Sequence, residues 1–333
     1  MINLRIETLR GLGCILLVLY HVIGADSTQG LEVADGWLRW LNDGLAYLRM
    51  PLFTFLSGLV YGMRPFQGDS RAFLLGKARR LLIPMLVVGT VFALLQSAMP
   101  GTHSQVESWY LLHLQPVAHF WFVESLFWVF LLVWWLERRQ SMTTAGGMVV
   151  VLALACGLYM GVRGWSWLGI EGAIYLLPYF LLGLACKRFS WDRCLQSPAG
   201  RALLLALALA AIGWIGQPVP NPDRRTLAML CAGMSLCLLC LLDVRVVGWL
   251  AWTGRNSYPI YLFHVFFTAG ARIALERLGI EALALHIPLG LALGLLGPVT
   301  VDLLASSHPL SALLLLGKSR ARTAASAQLL PSR

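Results

Sequence analysis

The sequence has 333 residues, of which 58% are hydrophobic and 13% are charged. Soluble globular domains carry about 25% charged residues, so this composition excludes an ordinary soluble domain and is typical of a multi-pass membrane protein. The formal net charge is +10 at pH 7. Because the basic residues lie mostly between apolar segments, we attribute this charge to membrane topology and anionic lipid headgroups rather than to nucleic-acid binding.

Ten apolar segments follow one another along the chain, joined by polar connections. Each is close to the ~20 residues that a helix needs to cross a bilayer. Their predicted bounds are 11–25, 45–63, 82–99, 118–136, 144–162, 170–186, 201–216, 226–242, 257–275 and 286–305. We therefore predict an all-α fold, a polytopic membrane helix bundle of about ten transmembrane helices. It forms a single domain over residues 1–317, and the basic tail, residues 318–333, is expected to be disordered.

The distribution of Lys and Arg predicts the orientation of the bundle. Most of the 26 basic residues lie before the first segment, in alternate connections or in the tail, so the positive-inside rule places both termini in the cytoplasm. We expect the first segment to be retained as a helix rather than cleaved as a signal peptide, because it carries His21 and follows Glu7. The seven Cys residues form no zinc-binding pattern, and we predict neither a metal nor disulfides.

The chain opens with the sequence RIETLRG at residues 5–11 and continues into the apolar segment that carries His21. In a helix, Glu7, Arg10 and His21 share one face. The step from Arg10 to His21 corresponds to roughly 16 Å, or about three turns, so we expect Arg10 at the membrane surface and His21 near mid-depth. An ionisable side chain at that depth is costly and indicates a functional site; a buried His bonded to a neighbouring helix is the alternative.

Four further segments place polar residues within an apolar context. They read PLFTFLSG at 51–58, KARRLLIP at 77–84, HFWFVESL at 119–126 and NSYPIYLFH at 256–264. Together with the Arg10–His21 spacing, these segments resemble, in order, those of the integral-membrane acyltransferase-3 family. Members of that family move acyl groups, often acetyl, from a coenzyme A thioester to hydroxyls of cell-surface carbohydrates. The sequence departs from the family at Lys77, where the family has the first Arg of an Arg-x-x-Arg pair.

The resemblance implies the chemistry of acyl transfer. His21 would be the general base that takes the hydroxyl proton of the acceptor, since its unperturbed pKa is about 6.5. Glu124 would be a second catalytic residue, and because a buried carboxylate needs a partner, we expect it to meet Arg49 or His21. Acetyl-CoA, or another acyl-CoA, would be the co-substrate. Its phosphates would bind basic residues at the cytoplasmic entrance, where topology-setting charge is the alternative role: Arg5, Arg10, Lys77 and Arg80.

The same resemblance places the carbohydrate acceptor toward the outer surface. His119 and Trp121 would bind it, because an indole offers a flat apolar face on which a sugar ring can stack. His264 would either line the substrate cavity or form a structural hydrogen bond. The Ser57-Gly58 pair is expected to let two helices approach closely, with a hydroxyl bond across the interface. These implications describe a multi-pass enzyme in the bilayer of the cell inner (plasma) membrane, whose oligomeric state is open.

Two other classes of protein are compatible with buried ionisable residues in a helix bundle. A transporter or flippase of a lipid-linked sugar would also place His, Glu and Arg in a cavity, but it normally shows repeat symmetry or paired broken helices. We find no convincing internal repeat in the sequence. A sensor or assembly subunit without chemistry is the second rival, and activity with any acyl-CoA would exclude it.

Overall fold

The computed structural model describes residues 3–24, 30–33, 36–98, 108–165, 167–215 and 226–319. These residues form thirteen α-helices and no β-strand, which confirms the predicted all-α class. The first seven helices are α1 Leu4–Ile23, α2 Trp37–Gly44, α3 Ala46–Met63, α4 Ser70–Ala98, α5 Trp121–Arg138, α6 Ala145–Gly161 and α7 Ile170–Phe189. The remaining six are α8 Pro198–Ile215, α9 Leu227–Asp243, α10 Gly248–Arg255, α11 Ser257–Arg277, α12 Leu283–Ser306 and α13 Pro309–Leu316.

Six stretches of helix are long and apolar enough to cross a membrane: α1, α4, α5 with the turn before it, α7 with the turn before it, α11 and α12. The prediction of ten spans is therefore met only in part within the described residues. The other four predicted segments also fall on helices, namely α3, α6, α8 and α9. Of these, α6 and α9 have 17 residues each, short of the ~20 residues that a span needs.

The tightest contact between long helices joins α3 to α7 through two glycines. A Cβ atom on Gly58 would overlap the carbonyl oxygen of Phe180, and a Cβ atom on Gly183 would overlap the carbonyl oxygen of Phe55. The predicted close approach at Gly58 is confirmed. The expected hydroxyl bond across the interface is wrong, because Ser57 donates to the Phe53 carbonyl of its own helix at 2.8 Å.

A second glycine-mediated contact joins α1 to α10. A Cβ atom on Gly11 would overlap the Leu250 carbonyl oxygen, and one on Gly254 would overlap the Glu7 carbonyl oxygen. Because α10 leads directly into α11, this contact fixes where α11 begins. α11 then packs along α1, and α12 packs against both of them.

The short helix α2 lies beside the end of α1 and has two contrasting faces. Trp37 and Trp40 are 76% and 64% exposed, whereas Arg39 and Asn42 are buried. The apolar side of the helix therefore points away from the bundle and its polar side points into it. Such an arrangement is typical of a helix that lies at a membrane interface, where Trp is enriched.

The predicted tail lies mostly outside the described residues, which end at residue 319. Its first residue, Lys318, is held by the fold: its ammonium group forms an ion pair with Asp302 at 2.9 Å and donates to Ser306 at 2.7 Å. The short helix before it, α13, packs against α4.

Candidate active site

The first helix carries both residues on which the sequence prediction rests. α1 begins with Asn3 as its N-cap, whose side chain accepts from the amide of Arg5 at 3.1 Å, and it runs without interruption to Ile23. Arg10 and His21 therefore lie on one continuous helix, as predicted. His21 is in the last turn of α1 and is partly exposed.

Three histidines from distant parts of the chain meet at the end of α1. The ring centroids of His21 and His264 are 4.7 Å apart, those of His119 and His264 are 5.0 Å apart, and those of His21 and His119 are 5.7 Å apart. His264 lies on α11 and His119 lies in the turn before α5. Both are buried. We call His21, His119 and His264 the histidine cluster; all three are site residues predicted from the sequence.

Hydrogen bonds with the main chain hold the ring of His264 and the backbone of His119. The Nδ1 atom of His264 lies 2.9 Å from the carbonyl oxygens of both Ile260 and Tyr261. Since a carbonyl oxygen only accepts, Nδ1 carries the hydrogen and Nε2 is left as an acceptor. The hydroxyl of Tyr261 in turn donates to the carbonyl of His119, which ties α11 to the start of α5.

Aromatic rings pack around His119 of the histidine cluster. The ring of Phe92 lies 5.8 Å from that of His119, and the ring of Phe120 lies 4.1 Å from it. Tyr261 and Phe122 extend the same apolar shell. Such surroundings exclude water and have a low dielectric, so hydrogen bonds and charges inside them act strongly.

A buried polar network caps the end of α1 next to His21, and sequence reasoning missed it. Arg39 and Asn42 both donate to the carbonyl oxygen of Gly24, at 2.8 and 3.1 Å. Arg49 donates to the Asn42 side chain at 3.0 Å, and its guanidinium lies 4.3 Å from the ring centroid of Tyr20. The available signal in the sequence is two arginines beside predicted apolar segments, Arg39 and Arg49, a pattern that also fits plain outer-surface charge.

Glu124 lies apart from the partners expected for it. Its carboxylate is beside Gly169, where a Cβ atom would sit 3.1 Å from Oε2. No ion pair or hydrogen bond joins it to Arg49 or to His21 within the described part of the chain. Glu124 therefore faces α7 rather than the histidine cluster, because Phe122, two residues earlier on the same helix, is the one that faces Tyr261.

Trp121 lines an open cavity of about 330 Å³ between the start of α5 and the start of α7. The other residues around it are Pro116, Ala118, Ser125, Gly169, Glu171 and Gly172. The hydroxyl of Ser125 donates to the Gly169 carbonyl at 2.6 Å, which holds the two helix starts together. Ala118, at the edge of this cavity, immediately precedes His119 of the histidine cluster.

Two of the predicted donor-binding arginines lie at one end of the bundle. Arg10 pairs with Glu7 at 3.1 Å, and the carbonyl of Glu7 contacts Gly254 at the end of α10. Four residues further on, the hydroxyl of Tyr258 donates to the Arg80 carbonyl, and the Arg80 guanidinium lies 5.4 Å from the Tyr258 ring centroid.

The other two predicted donor-binding residues differ in their surroundings. Arg5 is exposed near the start of α1. Lys77 turns its ammonium group onto aromatic rings instead, with Nζ 3.5 Å from the centroid of Phe130 and 5.3 Å from that of Phe73. Arg80, which is exposed, is thus better placed than Lys77 to meet a ligand from the surface.

Within the described ranges, no three His, Cys, Asp or Glu side chains are arranged to hold a metal ion. An imidazole can donate or accept a hydrogen bond and can transfer a proton, so three adjoining rings suit general acid–base chemistry.

Comparison with known sequences agrees with the architecture. The sequence model of a family described as "Acyltransferase domain" matches residues 3–303, which include every helix that contributes to the histidine cluster. No curated protein and no solved structure matches the chain. With six candidate spans in the described residues, the protein is a multi-pass membrane protein. The extent of the family match, over nine-tenths of the chain, shows that this chain belongs to the acyltransferase-3 family.

Proposed function

We propose that this protein is an acyl-CoA-dependent O-acyltransferase that moves an acyl group, acetyl in the first instance, to a hydroxyl of a surface or exported carbohydrate. The observation that carries the proposal is the histidine cluster at the end of the helix that also carries Arg10. His21 is its partly exposed member, and His119 and His264 are buried behind it. In this proposal His21 is the imidazole that the substrate reaches.

In the proposed reaction, the hydroxyl oxygen of the acceptor attacks the thioester carbonyl carbon. The new C–O ester bond forms as the C–S bond breaks. His21 accepts the hydroxyl proton as the attack proceeds and then delivers it to the sulfur of the departing coenzyme A, so that the products are the ester and the free thiol. General base catalysis of this kind contributes about 10²- to 10⁴-fold in rate.

The position of the basic residues supports entry of the donor from the end of the bundle where Arg10 and Arg80 lie. Arg binds phosphate through a planar fork of donors, which suits the phosphates of coenzyme A. The step from Arg10 to His21 is roughly 16 Å along α1, and the long pantetheine arm is suited to carry the thioester over such a distance while the phosphates stay at the surface.

The cavity beside Trp121 supports a carbohydrate acceptor. Its lining combines the Trp121 side chain with the polar side chains of Ser125 and Glu171, and it includes Ala118, which immediately precedes His119 in the chain. Sugar recognition uses the same combination of a flat apolar face and hydrogen-bonding groups. In this proposal Trp121 holds the sugar ring and the histidine cluster receives the reacting hydroxyl.

The test compares wild type with His21→Ala in two assays: the acetyl content of the surface polysaccharide of cells, and transfer of label from acyl-labelled acetyl-CoA by the purified protein. We expect roughly a 100-fold or greater loss of transfer at unchanged protein level in the membrane. His308→Asn is the matched control, since His308 only caps α13 and Asn is also a good N-cap. Unchanged acetylation with less total polysaccharide at the surface would instead support the transporter.

A further inference from the structure

One buried ring nitrogen of the histidine cluster takes no part in the acyl-transfer step proposed for His21. Nε2 of His264 is buried and has no hydrogen-bond partner among the described residues, whereas Nδ1 of the same ring is held by the carbonyls of Ile260 and Tyr261. The ring therefore cannot turn over without losing its main-chain contacts. An unpaired buried acceptor costs free energy, so a site that keeps one is built to receive a donor.

Two histidine rings adjoin that of His264 and can supply the donor, and of these His21 is the closer; both ring nitrogens of His119 are also buried without a partner among the described residues. The His21 ring centroid lies 4.7 Å from that of His264, closer than the 5.0 Å that separates His264 from His119. The rings of His21 and His264 are inclined at 64°, an edge-on arrangement that points a ring edge at its neighbour. Catalytic hydrogen bonds are often long without substrate and tighten only when it binds, so ring centroids 4.7 Å apart leave a bond of roughly 2.7–3.2 Å within reach of a rotation of the His21 ring.

We propose that His264 is the positioning residue of His21: its Nε2 accepts the ring N–H of His21 and thereby directs the other, unprotonated nitrogen of His21 toward the acceptor hydroxyl. This inference rests on the proposed function. In catalysis by an imidazole base, a third group that fixes the tautomer and orientation of the base is a general requirement. Here the neutral imidazole of His264, anchored by two main-chain carbonyls, is that third group. When His21 takes up the hydroxyl proton, the bond to His264 persists and stabilises the imidazolium.

Two substitutions of His264 separate this role from a structural one. The amide oxygen of Gln reaches the place of Nε2 and can accept from His21, but Gln has no donor at the place of Nδ1. Asn has the opposite properties, because its amide nitrogen lies near the place of Nδ1 and can donate to the carbonyls of Ile260 and Tyr261, while nothing occupies the place of Nε2. A positioning role and a purely structural role therefore predict opposite orders of activity.

The experiment measures kcat and KM for transfer by purified His264→Gln and His264→Asn, beside wild type and His21→Ala. We expect His264→Gln to stay within about tenfold of wild type and His264→Asn to lose about 100-fold in kcat, with KM for both substrates unchanged. If the Asn variant is as active as wild type, or more active than the Gln variant, the proposal is overturned. If the Asn variant does not accumulate, the Gln variant decides, because a purely structural role predicts that it fails as well.

A second comparison tests the route through His21. The same pair of substitutions is made in a His119→Gln background. If His264 acts through His21, the difference between the His264→Gln and His264→Asn proteins persists there; if it disappears, His264 acts through His119 and the assignment is wrong. Absence of any acyl transfer by wild type would refute the proposed function itself, whereas an active wild type, an inactive His21→Ala and an unaffected His264→Asn would refute only the positioning role.

Discussion

Substitution of Gly58 by Ala tests the packing on which the bundle depends. The added methyl group would overlap the carbonyl oxygen of Phe180 and lie 3.1 Å from the amide nitrogen of Leu184. Both are main-chain atoms of α7, so no side-chain rotation can relieve the overlap. The two helices must separate instead, and every contact along their interface loosens.

The expected size of the effect follows from two opposing contributions. Overpacking of a well-packed interior costs about 1–3 kcal/mol, and a rigid main-chain neighbour places this case at the upper end. Replacing a helical glycine by alanine recovers up to about 1 kcal/mol of helix propensity. The net loss of about 2 kcal/mol corresponds to roughly a 30-fold shift in the unfolding equilibrium.

Gly157 provides the matched control, because it also lies within an apolar helix, α6, but among the described residues nothing beyond its own helix backbone lies within 4 Å of its would-be Cβ. Gly157→Ala should therefore be neutral or slightly stabilising. The assay is thermal unfolding of detergent-solubilised protein, followed by the fraction that remains monodisperse after heating. We expect the midpoint for Gly58→Ala to fall by several degrees. A Gly58→Ala midpoint equal to that of Gly157→Ala would show that α3 and α7 are farther apart than described.

Two further predictions concern the donor entrance and the connection before α5. Arg80→Ala should raise KM for acyl-CoA about tenfold, because one charge-assisted contact is lost. Lys77→Met should leave KM nearly unchanged, because the Lys77 ammonium group packs on Phe130 instead. Equal effects of the two substitutions in steady-state kinetics would contradict this assignment. Burial lowers the pKa of His113, whose Nε2 lies 2.9 Å from the Thr90 hydroxyl. The unfolded chain therefore binds the proton at higher pH, so His113 contributes a loss of stability as pH falls below about 6.5. The midpoint of wild type should fall more steeply between about pH 7 and pH 5 than that of His113→Gln, and parallel slopes would rule this out.

The opening helix could be predicted from sequence because its signal is local. Arg10 and His21 are related by helical spacing alone, and the structure places both on α1. The close approach at Gly58 was predictable for a similar reason, since small residues in an apolar helix allow few alternatives.

The histidine cluster could not be derived from local patterns. His21, His119 and His264 are far apart in the chain, and no periodicity states which helix ends adjoin. Resemblance to a family named all three residues but gave them separate roles, whereas the fold brings their ring centroids within 5.7 Å of one another. The prediction of partners for Glu124 was wrong for the same reason. Burial indicates that a carboxylate needs a hydrogen-bonding or charged partner, but it does not indicate which helix supplies that partner.

The count of spans depends on where helices end, which hydropathy alone does not reveal. Residues 144–162 read as one apolar segment, yet Thr144 is the N-cap of α6 and Val162 has already left the helix. Lys77 shows a related limit of sequence-based prediction. A basic residue between apolar segments is expected to be a surface charge, but the long aliphatic stem of Lys77 lets its ammonium group reach Phe130.

The position of the proposed base is set from outside the core of the bundle. Arg39 and Asn42 hold the carbonyl of Gly24, immediately beyond the last turn of α1, while Trp37 and Trp40 on the opposite face of α2 point outward. α2 therefore connects its outward-facing tryptophans to the end of α1 through the two hydrogen bonds to Gly24. Because exposed Trp side chains indicate that α2 lies at the membrane interface, we expect a bilayer of different thickness to shift the end of α1 and, with it, the depth of the proposed base.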